Sequence, residues 1–232
     1  MCETCGCGDP HLVSVEVQDR ILSENDRQAM HNREHFVAAG VCAVNLMGSP
    51  GAGKTAVLEA TAKRLTATSK LGAIAGDLAT DHDAARLERA GVPSHSITTG
   101  NACHLDASMV HRALHHMPWS GLDYLFIENV GNLVCPAVYD LGEHADVVVL
   151  SVTEGEDKPL KYPVMFKKAE LVIVTKVDLL PHLPGVSVEA IWQNIQRVMP
   201  KPEMVRFSAV TGEGVEEWVA WLAKQRAGTR RG

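Results

Sequence analysis

The segment from Gly48 to Thr55 constrains the fold of this chain most strongly, because its sequence GSPGAGKT matches the pattern GxxxxGK[ST]. An apolar run at 41–47 precedes it, and residues 55–69 follow with helical spacing of apolar side chains. In such a strand–loop–helix unit, the backbone N–H groups of the loop and the helix N-terminus attract phosphate. We therefore predict a nucleotide site in which Lys54 contacts the β- and γ-phosphates and the Thr55 hydroxyl binds Mg²⁺. The other loop residues expected at the phosphates are Gly48, Ser49, Gly51, Ala52 and Gly53.

The remainder of the chain repeats this alternation of strand and helix. Further strand candidates lie at 71–76, 94–98, 124–127, 147–152, 171–175 and 204–207. Helical segments are predicted at 19–38, 81–90, 105–117, 187–198 and 215–224. This alternation predicts an α/β fold, a three-layer P-loop NTPase domain with a mostly parallel sheet flanked by helices. We assign residues 18–232 to this domain with its N-terminal helix, and residues 1–17, which lack periodicity, to a flexible arm.

Composition and charge argue against several classes of protein. The 232-residue chain has a formal net charge of −6, whereas a nucleic-acid-binding protein normally presents a basic face. No apolar run approaches the ~20 residues of a membrane-spanning helix. The first residues also lack the basic start and apolar stretch of a signal peptide. We expect a cytoplasmic protein that binds neither nucleic acid nor membrane.

A second motif predicts which base the nucleotide carries. Thr175-Lys176-Val177-Asp178 follows an apolar run and resembles the N-K-x-D motif that binds guanine. The Asp178 carboxylate would accept hydrogen bonds from guanine N1–H and the exocyclic amine, which adenine does not offer in that arrangement. Ser208-Ala209, after a later strand, resembles a further guanine-contacting motif, so we predict GTP. Because Thr175 stands where the motif has Asn, we expect base specificity to be looser.

The segment Glu128–Gly131 resembles the D-x-x-G sensor of the γ-phosphate, with Glu in place of Asp. We expect the Gly131 N–H to meet the γ-phosphate and Glu128 to orient water on Mg²⁺. Asp77, at the end of the second strand, is another candidate for the Mg²⁺ shell, or else a carboxylate that caps the next turn. With Lys54, these residues form the predicted catalytic set. Asn132 replaces the usual catalytic Gln, which predicts slow turnover, no faster than about 10⁻² s⁻¹.

Three of the six cysteines lie in the first seven residues, at Cys2, Cys5 and Cys7. In a reducing cytosol, clustered thiols indicate a metal or redox site rather than disulfides. Thiolates are soft ligands suited to zinc, nickel or copper(I). Nitrogen and sulfur donors on a pliable arm can also adopt the planar arrangement that Ni²⁺ accepts more readily than Zn²⁺ does.

A second set of candidate metal ligands is Cys103, His104 and Cys135, each predicted to follow a strand on the nucleotide face. Three ligands are one short of a closed zinc site, and a symmetric dimer could share the metal. Alternatively, Cys103 and Cys135 are buried apolar cysteines, as we expect Cys42 to be. Since only three residues separate Gly131 from Cys135, movement of the sensor would shift Cys135 and couple metal affinity to nucleotide state. We expect the remaining histidines to be surface or packing groups.

Taken together, these motifs resemble those of the HypB family of hydrogenase nickel-incorporation GTPases, in the SIMIBI class of P-loop proteins. The segments that carry the resemblance are Cys2–Cys7, Gly48–Thr55, Cys103–His104, Glu128–Pro136 and Glu154–Pro163. The resemblance implies a GTP-dependent homodimer that helps deliver Ni²⁺ to [NiFe] hydrogenase. The implied partners are a nickel accessory protein and the hydrogenase large-subunit precursor. It also implies that Cys103, His104 and Cys135 bind Ni²⁺ or Zn²⁺. Lys158 and Lys161 would contact the nucleotide of the partner subunit.

Three other functions remain open at this point. A UreG-like GTPase would use the same chemistry for urease. A metal-binding buffer with a regulatory nucleotide site would hold metal equally well with GDP and GTP. A small-molecule kinase would use the same phosphate loop, but Asp178 and the Glu128–Gly131 segment argue against it.

Overall fold

A computed structural model describes residues 15–78, 81–100 and 102–229, with side chains from residue 20 onward. The predicted ligands Cys2, Cys5 and Cys7 lie outside the described residues. The first helix begins at Val15, so residues 15–17, which we assigned to the arm, are helical.

Seven strands form one parallel sheet in the order β3-β2-β4-β1-β5-β6-β7. The strands are β1 (Cys42–Met47), β2 (Leu71–Asp77), β3 (Ser94–Thr98), β4 (Tyr124–Glu128), β5 (Ala145–Ser151), β6 (Leu171–Thr175) and β7 (Met204–Phe207). The central strands β1, β4, β5 and β6 are nearly continuous apolar runs, as expected for strands whose two faces are both covered. The edge strand β3 is more polar and only partly buried. The predicted fold class is confirmed.

Helices cover both faces of this sheet. They are α1 (Val15–Ala39), α2 (Lys54–Leu65), α3 (His82–Arg89), α4 (Ala107–Leu114), α5 (Lys158–Lys161), α6 (Pro163–Lys168), α7 (Val188–Val198) and α8 (Val215–Thr229). One-turn or two-turn 3₁₀ segments occur at Cys135–Ala137, Val152–Glu154 and Val177–His182. The sequence analysis did not identify α5 and α6, because helices of four and six residues are too short to show a hydrophobic period.

The core is divided by the sheet. Helices α2, α3 and α8 pack on one face around Trp218, whose indole N–H donates to the Thr61 hydroxyl at 2.8 Å. On the other face, α1 and α4 pack around Phe36, and α6 and α7 pack around Phe166. This three-layer arrangement fixes the carboxyl ends of the parallel strands at one edge, where ligands of such sheets bind.

Several predicted functional residues lie at that edge. Asp77, Glu128 and Thr175 are the last residues of β2, β4 and β6, and the phosphate loop follows β1 directly. Across the described parts of the chain, no helix is both long enough and apolar enough to cross a membrane.

Candidate nucleotide and metal site

The phosphate loop closes tightly over the end of β1. At Gly48, whose φ is 150°, an added Cβ would come within 2.3 Å of the Val149 carbonyl oxygen. Only glycine fits there, because the loop backbone crosses the neighbouring strand β5 at close range. The close approach of Gly48 to β5 therefore restricts the conformation of the loop.

Lys54 is buried at the start of α2, and its ammonium group lies against the loop. It donates to the carbonyls of Gly48 at 3.3 Å and Ser49 at 3.2 Å. Burial lowers the pKa of Lys54, and the nearby Glu128 carboxylate opposes this shift. The ammonium thus lies inside a loop whose N–H groups surround the position expected for phosphate.

The Thr55 hydroxyl lies 2.8 Å from both Asp83 Oδ1 and Glu128 Oε1. The two carboxyl groups therefore converge on one hydroxyl. Burial raises the pKa of Glu128 to about 7, and the nearby Lys54 ammonium opposes this shift. Its other oxygen, Oε2, is buried without a hydrogen-bond partner among the described residues.

This oxygen-only set fits the hard cation Mg²⁺, which prefers carboxylate, hydroxyl and water ligands. Asp77 borders the same cavity, and its Oδ1 also accepts from the Leu78 backbone N–H. Both roles considered for Asp77 are therefore compatible with its position. Sequence analysis missed Asp83 and Arg86, which α3 brings over the loop. The signal available for Asp83 was the acidic run of Asp81 and Asp83 just beyond β2.

A cavity of about 420 Å³ joins these parts. It extends from the phosphate loop to the sensor segment, and its polar lining is Lys54, Thr55, Asp77, Asp83, Arg86, Glu128 and Asn129. Its volume is within the range of small-molecule sites, and every charged group predicted for phosphate and Mg²⁺ borders it.

The residues of the predicted base site also converge. The Ser208 hydroxyl donates to Asp178 Oδ1 at 2.5 Å, so the strand ends of β6 and β7 bring the two motifs together. Ala209 follows Ser208 and is exposed. The Thr175 hydroxyl donates to the Ala52 carbonyl at 2.5 Å, and Lys176 Nζ donates to the Gly51 carbonyl at 2.8 Å. Thr175 therefore binds the phosphate loop, and it lacks the side-chain amide that the Asn of an N-K-x-D motif presents.

The sensor segment contacts the phosphate loop directly. An added Cβ on Gly131 would lie 2.8 Å from both the backbone nitrogen and Cγ of Pro50. The Asn132 backbone N–H donates to the Gly48 carbonyl at 3.1 Å. The side-chain oxygen of Asn132 accepts from the backbone N–H groups of Val134 at 2.7 Å and Cys135 at 3.4 Å. One residue therefore links the loop to the turn that carries Cys135.

Cys103, His104 and Cys135 form a half-buried cluster at the same edge. One ligand atom from each lies within 4.8 Å of the other two, and the two sulfurs are 3.0 Å apart. The hydrogen bond with Cys103 raises the pKa of the Cys135 thiol, and burial lowers that of His104. The His104 ring stacks on Tyr139 with centroids 3.9 Å apart. The alternative of two fully buried apolar cysteines therefore describes Cys42 but not this pair.

Lys158 and Lys161 lie on the short helix α5. Lys161 Nζ pairs with Asp157 at 2.6 Å, and Lys158 Nζ lies 5.3 Å from the centre of the Tyr162 ring. Helix α6, which follows, packs against the 3₁₀ turn Cys135–Ala137. The two lysines thus stand on an exposed segment next to the element that packs on the cysteine turn.

Comparison with known proteins gives the class and then the family. The profile of the CobW/HypB/UreG nucleotide-binding domain matches residues 42–206, so this is a P-loop nucleotide-binding protein of that class. Hydrogenase maturation factor HypB of Azotobacter chroococcum mcd 1 is 51% identical over 219 residues, or 94% of this chain and 71% of the relative. The chain belongs to the HypB family of hydrogenase maturation factors.

Two solved structures of that family resemble this one. HypB from Helicobacter pylori in complex with nickel has a TM-score of 0.84 at 38% identity, covering 90% of this chain and 98% of that one. HypB from Archaeoglobus fulgidus has a TM-score of 0.82 at 40% identity, covering 88% of this chain and 100% of that one. The resemblance to the HypB family stated from the sequence is confirmed.

Proposed function

We propose that this chain is a GTP-hydrolysing nickel metallochaperone that assists nickel insertion into [NiFe] hydrogenase, with metal affinity that depends on the bound nucleotide. The observation that carries the proposal is the position of Cys135. Its sulfur lies 3.0 Å from that of Cys103, and its backbone N–H is held by Asn132, which is itself hydrogen-bonded to the phosphate loop.

Coupling follows from this short path. When a γ-phosphate draws the Gly131 N–H inward, the backbone hydrogen bond between Asn132 and Gly48 must adjust. The Asn132 side chain then carries the displacement to the turn at Cys135, four residues beyond Gly131. A change of this kind is a coupling free energy between two sites, and it acts equally in both directions.

The nucleotide in this proposal is GTP with Mg²⁺. Asp178, held by Ser208, is available to accept from guanine N1–H and the exocyclic amine. Thr55, Glu128, Asp83 and Asp77 would hold Mg²⁺, which would neutralise charge on the β- and γ-phosphates. Lys54 would add a positive charge at the same oxygens.

Slow turnover is part of the same proposal. A residue that positions the attacking water needs a free side-chain acceptor or donor at the γ-phosphate. The Asn132 side-chain oxygen instead accepts two backbone N–H groups of the cysteine turn. We therefore expect intrinsic hydrolysis no faster than about 10⁻² s⁻¹.

The metal site is proposed to be completed in a homodimer, since three protein ligands leave a fourth position open. The exposed apolar side chains Val134, Val138, Leu160 and Val164, which are 42–59% exposed, lie on or next to the cysteine turn, α5 and α6. Burying them against a second copy would place Lys158 and Lys161 at the interface. The N-terminal thiols Cys2, Cys5 and Cys7 are proposed as a further nickel or zinc site, and a reducing cytoplasm as the location.

The decisive experiment is a nickel titration of the reduced, full-length protein against a competing chelator. It is run with Mg²⁺ and GDP, and again with Mg²⁺ and a non-hydrolysable GTP analogue. We expect the two nickel affinities to differ, and the difference to vanish in the Cys135→Ala variant.

Cys42→Ala is the matched control, because Cys42 is a buried cysteine within β1 that is not part of the ligand cluster. It should retain the nucleotide-dependent difference. Equal affinities in both nucleotide states of the parent protein would refute the coupling and favour a metal buffer. Transfer of the γ-phosphate to a small molecule rather than to water would instead favour a kinase.

A further inference from the structure

Two helices that pack together present four histidines in two pairs. His31 and His35 are four residues apart on α1, and His111 and His115 are four residues apart at the end of α4. Residues with this spacing lie on the same side of a helix, one turn apart. Because α1 packs on α4, the pairs meet across the helix contact.

The imidazole rings approach one another closely. Ring centroids are 4.2 Å apart for His31 and His35, 5.3 Å for His31 and His111, and 5.9 Å for His35 and His111. One ring nitrogen from each of these three lies within 4.8 Å of the other two. Nitrogens bound tetrahedrally to one Zn²⁺ are about 3.3 Å apart, given Zn–N bonds of about 2.0–2.1 Å. Side-chain rotations of His31 and His35 would bring the ring nitrogens to this separation.

A buried amide fixes the orientation of His111. Asn32 is fully buried, and its NH₂ group donates to the carbonyls of Ala107 at 2.9 Å and Leu141 at 3.0 Å. Its side-chain oxygen therefore faces His111 Nδ1, 3.2 Å away, and accepts a hydrogen bond from the Nδ1–H. The neutral His111 ring then has its free lone pair on Nε2. Fixing the tautomer through the second ring nitrogen is how proteins prepare histidine for metal binding.

Two further contacts involve the rings of this cluster. His35 stacks on the indole of Trp119 with centroids 6.2 Å apart and an interplanar angle of 12°. His115 Nε2 lies 3.4 Å from His111 Nε2, so it is close enough to replace His31 or His35 as a ligand.

We propose that His31, His35 and His111 form an additional metal site, separate from both groups of cysteines, for a late first-row divalent cation such as Ni²⁺ or Zn²⁺. Its donors are imidazoles only, which suit these ions and are poor ligands for Mg²⁺. The site lies on the α1–α4 surface, and its histidines were assigned from the sequence as surface or packing groups. The i,i+4 spacing was the available signal, but nothing in the sequence indicated that the two pairs meet.

The test uses full-length protein in which Cys2, Cys5, Cys7, Cys103 and Cys135 are replaced by serine, so that no thiolate ligand of either cysteine site remains. Ni²⁺ is added and binding is followed by equilibrium dialysis and by quenching of tryptophan fluorescence. Zn²⁺ is then added in competition. We expect one tight Ni²⁺ per chain, displaced by Zn²⁺, and quenching that disappears in Trp119→Phe while binding remains.

His31→Ala and His111→Ala should each weaken Ni²⁺ binding by about tenfold or more. His31 is exposed, so its variant separates ligand loss from loss of folding, which circular dichroism also checks. The matched control is the double variant His95→Ala, His116→Ala, which removes a stacked histidine pair with centroids 5.2 Å apart. Within the described part of the chain, this pair belongs to no three-ligand cluster. Unchanged affinity in both site variants, or equal weakening in the control, would overturn the proposal.

Discussion

Gly131→Ala tests the contact on which the proposed coupling depends. The added methyl would lie 2.8 Å from the backbone nitrogen and Cγ of Pro50, and 2.9 Å from its Cα. Contacts this short do not persist, so either the phosphate loop or the segment from Gly131 to Cys135 must move. Because Pro50 belongs to a loop that is closed against β5 at Gly48, we expect the sensor segment to give way.

The magnitude can be set against a control glycine. Overpacking by one methyl typically destabilises a protein by about 1–3 kcal/mol. Replacing Gly by Ala also restricts the unfolded chain, which stabilises by about 0.4–1 kcal/mol where the methyl has space. Gly121 has no atom within 4 Å of an added Cβ, so Gly121→Ala should show only the second effect. Gly131→Ala carries the same unfolded-chain term, which cancels, so the two variants should differ by about 1–3 kcal/mol in free energy of unfolding.

Urea unfolding of the nucleotide-free protein, followed by circular dichroism, measures this difference. Thermal unfolding gives a second estimate, since 1 kcal/mol corresponds to about 2–4 °C for a domain of this size. The Gly131→Ala variant should also lose preference for the GTP analogue over GDP, because its N–H can no longer approach the γ-phosphate. Equal stability of the two glycine variants, with an unchanged nucleotide preference, would refute the reasoning.

Three further predictions concern other contacts. Asp178→Asn should reverse the nucleotide preference from GTP to xanthosine triphosphate in competition binding, because an amide donates where the carboxylate accepted. Asn132→Ala should leave GDP affinity near that of the parent but weaken Ni²⁺ binding, as measured by chelator competition, since it releases the Cys135 turn. Lys168→Met should destabilise by about 3–5 kcal/mol in urea, because Glu143 and Asp146, at 3.0 and 3.2 Å from Nζ, are buried carboxylates. Burial, then Glu143, raises the pKa of Asp146, so the folded variant binds more protons than the unfolded chain. Its stability should therefore fall as pH rises above about 4, and a flat pH profile would contradict this assignment.

Local patterns were sufficient to predict the sheet and the phosphate loop. Most strands of the parallel sheet are short apolar runs, and the functional loops follow strands, so order along the chain predicts the edge at which the loops meet. Asp83 was missed for a different reason. Its role depends on how α3 is placed over the Thr55 hydroxyl, and helix placement is a tertiary property that no local pattern encodes.

The roles of Thr175 and of the histidines on α1 and α4 also depend on tertiary structure that no local pattern encodes. Sequence comparison with N-K-x-D treats Thr175 as a weakened base contact, but its hydroxyl holds the Ala52 carbonyl of the phosphate loop. His35 and His111 are separated by 76 residues in sequence yet have centroids 5.9 Å apart, because α1 packs on α4. Spacing within one helix was visible in the sequence, whereas the meeting of two helix faces required the folded chain.

Under the proposed function, slow GTP hydrolysis and nickel transport both depend on Asn132. An enzyme that turns over at about 10⁻² s⁻¹ keeps its GTP-bound state for roughly 100 s, which is long enough for a loaded carrier to meet a scarce partner. A side chain free to position water would shorten that lifetime. It would also leave the Cys135 N–H without the acceptor that holds the metal-binding turn against the phosphate loop. Under the proposed function, the Asn132 side-chain oxygen that links nucleotide state to the metal is thus occupied by the cysteine turn rather than by an attacking water.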